Sequence, residues 1–475
     1  MTKKKMMRCR ALLIRCARGR CCAVLLIVCV ILAVGRLYQH RRYQLVMFRR
    51  SAAVDYELAQ NDTRGRHFVP GAFLGDAVPR NVSYCRFRFG LPDVLNVEEA
   101  DVAFTPELGE DSDYRVIYDV LEPPANETSD DVTFCTHATP EFLYYVVEIL
   151  RRWQGPVSIA TFVPSSDASL TLCLVERLCS CVPEMGRLSL HFVFPLAHPP
   201  RLVPCPAALA ADASCAAPKP LASRSLQTFR NSEAMTYPVN VARNVARFKS
   251  RTKYTLVADV ELFPSRQLVP RFLRMVAELK ATKTAKTSKT TVGLDESADR
   301  IVYVVPVFEV GPAEDVPDRK SKLLEMYAEN KAFYFHRWVC SHCQRFPGLQ
   351  RWLLKKSPTM DKAIKPFFVV RREFPFHRWE PIFIGTNSEP LYSEVLTWEG
   401  QQDKMTQMHE MCLMRYHFVI LDGAFLVHAP GVKRKSDVLR DSWRNEQAKK
   451  NSVLYERIMK NINRKRKENS RCRIH

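Results

Sequence analysis

Residues 131–164 read DVTFCTHATPEFLYYVVEILRRWQGPVSIATFVP, and the periodicity inside them decides the fold class. The first eight residues are an apolar run ending in small polar groups, which reads as a strand. A proline at position 140 then opens a segment with apolar residues at Phe142, Tyr145, Val146, Ile149, Leu150 and Trp153. That recurrence follows one face of a helix with 3.6 residues per turn. Gly155-Pro156 breaks the helix, and VSIATFV reads as a second buried strand. Outward from there the alternation continues. A helix is expected over 168–178, a strand at LSLHFVFP (188–195), a helix at YPVNVARNVARFKS (237–250) and a strand at YTLVADVELFPS (254–265). Strands alternating with helices at this spacing predict an α/β fold with parallel strands. Residues 281–300 read as a polar surface loop before the strand IVYVVPVFEV (301–310). The stretch 301–431 is aromatic and less regular, and the basic segment from 432 reads as a surface helix fraying towards residues 471–475.

The chain has 475 residues and a formal net charge of +21, with 47% hydrophobic and 25% charged residues. These proportions exclude wholesale disorder. The charge sits at the ends. Residues 1–50 carry 13 basic and no acidic residues, and residues 432–475 carry 15 basic against 5 acidic, which leaves 51–431 at −2. Phosphate-backbone binding needs a basic stripe across a folded domain, and the neutral middle argues against nucleic acid as a partner.

Residues 21–35, CCAVLLIVCVILAVG, are uncharged. They are shorter than the ~20 residues of a spanning helix, but flanking apolar residues and snorkelling Arg20 and Arg36 extend them. Eight positive charges precede the segment and five follow it within residue 50. No small-x-small cleavage site follows, so the reading is a type II anchor with a cytoplasmic N-terminus. The expected organisation is a cytoplasmic tail (1–20), a transmembrane anchor (21–38), a stem (39–110), a catalytic domain (111–450) and a basic tail (451–475). Sequons at Asn61, Asn81 and Asn126 suit a lumenal body. Beyond the anchor lie eleven cysteines, an odd number that leaves at least one outside intramolecular disulfides, and spacing alone does not give the pairing.

The main chemical motif is Asp259-Val260-Glu261, at the end of an apolar strand. Alternation would put both carboxylates on one side, at the edge where α/β sheets bind ligands. Such a pair can hold a divalent ion across a diphosphate, or it can be two solvated acids. His428 ends the apolar run 425–430 and is either a structural hydrogen-bonder or a third ligand to that ion. Cys340-Ser341-His342-Cys343, with His336 nearby, has weak zinc spacing, and a lumenal setting favours structural cystines. Glu380, Glu394 and Asp403 are further carboxylates, any of which could serve as a general base.

Together these segments resemble the family of Golgi glycosyltransferases that contains beta-1,4-glucuronyltransferase 1 and the C-terminal catalytic domain of LARGE. The stretches that carry the resemblance are THATPEFLYYVVEILRRWQGPVSIATFV, YPVNVARNVAR, YTLVADVELFPS, VVPVFEV, RWEPIFI and DKMTQMHEMCLMRYHFVILDGAFLVHAPGVKR, in order over about residues 114–450. The resemblance implies a single GT-A-type, Rossmann-like domain that uses a UDP-sugar and Mn²⁺. It also implies inverting transfer to a glycan or glycoprotein acceptor in the Golgi lumen. Asp259 and Glu261 then take the place of the family's DxD metal pair, and His428 that of its C-terminal metal-binding histidine. Arg243, Asn244 and Arg247 match its RNxAR helix near the nucleotide, with Asp259 also on the donor. Glu380, in the WEP stretch, is the first choice for catalytic base and Asp403 the second.

Two departures bear on activity. The pair is DxE rather than DxD, and where the family commonly shows YDERF this chain has YSEVL at 392–396, without the arginine. Glucuronic acid is the preferred donor sugar, with N-acetylglucosamine and xylose as alternatives. A rival reading is a non-catalytic lumenal relative that binds glycans or a partner transferase, and a hetero-complex with another transferase is compatible with either.

Overall fold

The computed structural model describes residues 68–71, 83–90, 95–123, 130–209, 215–285, 300–356, 359–397, 402–432, 434, 442–466 and 469–474. The anchor at 21–38 and the sequons Asn61, Asn81 and Asn126 lie outside the described residues. Among the described residues no helix is long and apolar enough to cross a membrane.

The first strands are β1 (Val102–Ala103), β2 (Tyr114–Leu121), β3 (Val132–Ala138), β4 (Val157–Phe162), β5 (Leu188–Pro195) and β6 (Tyr254–Val257). There follow β7 (Leu262–Pro264), β8 (Ile301–Val304), β9 (Val307–Val310) and β10 (Ala332–Tyr334). The last are β11 (Lys365–Val370), β12 (Phe383–Gly385), β13 (His417–Asp422) and β14 (Leu426–His428). Ten of them form one sheet in the order β1-β2-β5-β4-β3-β6-β12-β8-β13-β11, and four form a second in the order β10-β9-β14-β7. Strands β5, β4, β3 and β6 are mutually parallel, while β12 runs antiparallel between β6 and β8.

Helices cover both faces of the parallel block, which is why its strands are apolar throughout rather than alternating. Helices α1 (Tyr145–Arg152) and α2 (Asp167–Cys181) pack with Phe134, Ile159 and Leu190. Helix α3 (Val239–Phe248) buries Val241, Ala242 and Val245 against Cys135 and Ala160, the residues adjacent in sequence on those strands. Phe142, expected on the buried face of α1, is 40% exposed. It belongs to a 3-10 turn at Pro140–Phe142, whose tighter winding takes it out of phase with the helix.

Three expectations change. The stretch 301–310 is two strands in different sheets, because Val305-Pro306 carries the chain from β8 to β9. Helix α4 (Leu268–Ala285) takes up residues 281–285 of the expected loop. Residues 83–90 and 95–103, assigned to the stem, are built into the body: Cys85 is bonded to Cys179, Phe89 is buried and β1 pairs with β2.

At the other end, helix α5 (Met405–Leu413) carries the C-terminal helix α6 (Ser442–Lys465) through Met405, Tyr455 and Met459. The chain end does not fray as expected, because Cys472 is disulfide-bonded to Cys412 and the Phe374 amide donates to Arg471 O. The remaining disulfides are Cys173–Cys205, Cys181–Cys215 and Cys340–Cys343, and Cys135 is a buried thiol, in keeping with the odd count.

Candidate functional site

The chain passes from the large sheet to the small one three times, at β6–β7, β8–β9 and β13–β14. Asp259 and Glu261 lie in the first of these passages and His428 ends β14. Order along the sheet also reverses here: β4 and β5 lie to one side of β3 and β6 to the other. Open α/β sheets bind ligands at such a switch point, beyond the carboxyl ends of the strands.

The strand expected to run through Asp259 stops at Val257. Residues 259–262 form a turn closed by the Leu262 amide on Asp259 O at 3.0 Å. A change of sheet requires the turn, and it removes the alternation on which the expectation rested. The two carboxylates therefore meet different partners. Asp259 Oδ1 accepts from Arg243 Nη2 at 3.0 Å and lies 3.2 Å from His137 Nε2, while Oδ2 lies 3.6 Å from Lys404 Nζ. Glu261 Oε2 is 3.6 Å from His428 Nε2.

Burial disfavours an ionised Asp259, but Lys404, Arg243 and the bond to His137 outweigh it and hold the carboxyl well below its usual range. Arg243 also donates to Asp403 Oδ2 and, at 3.0 Å, to Asn240 Oδ1. It is thus a buried cation shared by two carboxylates, its own pKa raised by them against the effect of burial. Burial lowers the pKa of His137. As neutral imidazole, donating from Nε2 to Asp259, it accepts at Nδ1 from Tyr237 Oη at 2.8 Å.

The other two residues of the RNxAR stretch face inward. Asn244 bonds to Tyr392 O, Tyr392 N and Glu394 Oε1, and Arg247 donates to the carbonyls of Asn387, Glu389 and Pro390. Both are buried and fasten segment 387–394 onto α3. Glu394 is spent in the same way, accepting the amides of Glu107 and Leu108 at 3.1 Å.

Of the two candidate bases, Asp403 is paired with Arg243, and despite burial that cation and Lys404 keep its pKa low. Glu380 differs. Its amide donates to Cys343 O and its carbonyl accepts from Gln344 Nε2, both at 2.8 Å, so the backbone is pinned. The half-buried carboxyl makes no hydrogen bond or ion pair with the described residues. Burial pushes it up to about 7, with Asp403 adding to the rise and Lys404, Arg372 and Arg243 opposing it.

A divalent ion finds suitable donors here, since two carboxylates and an imidazole suit a hard or borderline cation. His428 Nδ1 donates to Ala429 O at 2.8 Å, which leaves Nε2 as the ring nitrogen turned towards Glu261. That nitrogen is buried and has no hydrogen-bond partner among the described residues. Metal-binding imidazoles are oriented in this way, by a carbonyl at the other ring nitrogen. Asp259 stands apart from the pair: among the described residues the one cluster of three donors within 4.8 Å of one another is Cys340, His342 and Cys343. Those two cysteines form a disulfide and offer no thiolate.

Sequence reasoning missed His137, Tyr237 and Lys404. The first had a signal, since His137 ends β3 beside β6 and so flanks the switch point. Lys404, on a polar run far along the chain, had none. It joins Thr255, Val257, Phe383, Tyr392 and Gln407 in lining a cleft.

Residues 131–467 match the sequence model of a family described as "Glycosyl-transferase for dystroglycan". Beta-1,4-glucuronyltransferase 1 of Bos taurus is 28% identical over 362 residues, covering 74% of this chain and 80% of that protein. Xylosyl- and glucuronyltransferase LARGE1 of Homo sapiens is 22% identical over 315 residues, 65% of this chain and 32% of that one. The solved structure of S. aureus TarS 1-349 aligns at 11% identity with a TM-score of 0.29, over 63% of this chain and 60% of that chain.

Proposed function

The chain belongs to the glycosyltransferase family described as acting for dystroglycan, and from that premise we propose that it moves glucuronic acid from a UDP donor to a glycan acceptor with inversion. In this reading the domain has a GT-A-type fold and acts in the Golgi lumen behind the 21–38 anchor. Inverting transfer needs a base for the acceptor hydroxyl and compensation for the charge that develops on the departing diphosphate.

The observation that carries the proposal is Glu380. At the edge of a cluster in which Asp259 and Asp403 are both ion-paired, it is a carboxyl with no hydrogen-bond or ion-pair partner among the described residues, its pKa raised to about 7 by burial. A base whose pKa lies near the working pH combines a useful ionised fraction with real basicity. Asp403 is ionised but stabilised by Arg243, which makes it the weaker base. Glu380 takes the acceptor proton, and Arg243 holds Asp403 and Asp259 in place.

Glu261 and His428 would hold Mn²⁺, which when bound supplies Lewis-acid stabilisation of the diphosphate; Asp259 would join them only by exchanging its contacts with Arg243 and His137 for the ion. The substitution of Glu for Asp at 261 suits this arrangement, because its longer side chain is the one that approaches His428.

The test is UDP release by purified protein across UDP-glucuronic acid, UDP-N-acetylglucosamine and UDP-xylose, with glycan acceptors, in Mn²⁺ or EDTA. Metal-dependent release from UDP-glucuronic acid is expected. Release from another donor alone would reassign the sugar. Silence from folded protein with every donor and acceptor would sink the reading.

A further inference from the structure

We propose that Lys404 is the residue that meets the negative charge of the donor, with Gln407 accepting a hydrogen bond from the same nucleotide sugar. The inference rests on the transferase reading and assigns that site two further residues.

Three cations stand close to the donor side of the site, and two are spent. Arg243 is divided between Asp259 and Asp403, and Arg247 is used up on backbone carbonyls. Lys404 keeps its donors. Among the described residues its ion-pair contact is Asp259 Oδ2, which at 3.6 Å is outside hydrogen-bond range, and its side chain is 19% exposed on the wall of the cleft. An ammonium has three donors, and here none is committed among the described residues.

Gln407 supplies the independent observation. It lies on the same wall and is 1% exposed, with Nε2 donating to Pro390 O at 2.7 Å. Its Oε1 is buried without a hydrogen-bond partner among the described residues. The bond to Pro390 O fixes which end of the amide is oxygen, since a carbonyl can only accept. Buried polar atoms are nearly always paired, so this oxygen calls for an N–H or O–H from a ligand. Lys404 caps α5 and Gln407 sits one turn on, at a spacing that puts the two on one helix face. One wall therefore presents a positive charge and a hydrogen-bond acceptor. A nucleoside diphosphate sugar offers both complements: its diphosphate, or the carboxylate of a uronic acid, and the hydroxyls or N–H of its nucleoside.

The test is equilibrium binding of UDP, uridine, UDP-glucuronic acid and UDP-glucose to wild type, Lys404→Met, Lys404→Arg and Gln407→Leu, with melting curves to show folding. Lys404→Met should weaken UDP by on the order of tenfold to a hundredfold, the scale of a charge-assisted hydrogen bond, and leave uridine unchanged. Lys404→Arg should restore most of the loss. If UDP is unaffected and only UDP-glucuronic acid weakens relative to UDP-glucose, the anion met by Lys404 is the uronate. Gln407→Leu should weaken uridine and UDP alike by severalfold. Unchanged binding of both UDP and UDP-glucuronic acid by Lys404→Met, or equal losses for uridine and UDP, would overturn the assignment. A wild type that binds none of the four overturns the transferase reading itself. Should Lys404→Met fail to fold, Lys404→Gln gives the same comparison.

Discussion

Replacing Glu380 with glutamine separates catalysis from stability in one experiment. Burial moves this carboxyl from 4.5 to about 7, which at about 1.4 kcal/mol per pH unit is roughly 3 kcal/mol against the ionised form. A base with that pKa is about one-tenth ionised at pH 6 and about nine-tenths at pH 8, so kcat/KM for wild type should rise about tenfold between them. The variant should lose that rise and about 10²–10⁴-fold in rate. Stability should move the other way. The folded-state pKa lies above the unfolded one, so wild type loses stability as pH rises through the interval from 4.5 to about 7. Glutamine resembles the protonated acid. The two proteins should therefore unfold alike at pH 4, with the variant more stable by up to roughly 3 kcal/mol at pH 8. The assays are initial rates from pH 5.5 to 8.5 and urea unfolding at both extremes. A variant that keeps wild-type activity, or that gains nothing in stability at pH 8, refutes Glu380 as a buried base.

Arg243→Met strands Asp259 and Asp403 without their shared cation and should cost roughly 3–5 kcal/mol in chemical unfolding; a loss below about 1 kcal/mol would mean that Lys404 alone suffices. His428→Leu removes a ring whose Nε2 has no hydrogen-bond partner among the described residues but whose Nδ1 bonds to Ala429 O, so it should cost about 1–3 kcal/mol of stability while Mn²⁺ affinity of the folded protein, read by calorimetry, falls at least about tenfold. Unaltered Mn²⁺ binding would remove His428 from the ligand set. Cys412→Ser opens a disulfide of sequence separation 60 and should cost about 4 kcal/mol by loop entropy; an equal unfolding midpoint in the variant would show that α5 and α6 hold the chain end without it.

The parts of the fold legible in sequence are those with local causes. Strands β3, β4 and β5 and helices α1 and α3 each carry their own period, and most boundaries fall within a few residues of where the pattern puts them. What escaped depends on partners distant in sequence. Nothing in RWEPIFI says that β12 will lie antiparallel between β6 and β8. Nothing around 254–265 says that the first half of that apolar run pairs with β3 and β12 and the second half with β14. Apolar residues satisfy either sheet equally well, so hydropathy could not place the break at Val257.

The same turn explains why the acidic pair was legible as a site but not as a geometry. Asp259 could be found because a carboxylate after a buried strand at a sheet's carboxyl edge is costly unless something uses it. Its partners could not, since Arg243, Lys404 and His137 reach it from α3, the cap of α5 and the end of β3. Each of those residues alone has a bland reading on a polar helix face or at a strand end. Only the change of sheet at 258–261 turns Asp259 towards these cations and Glu261 towards His428. The seam between the sheets therefore splits two acids that are two residues apart into separate duties: one is paired with Arg243, while the other approaches His428 Nε2, which has no hydrogen-bond partner among the described residues. The His428→Leu measurement bears on this division directly, because it reads the side of the seam that the protein itself leaves open.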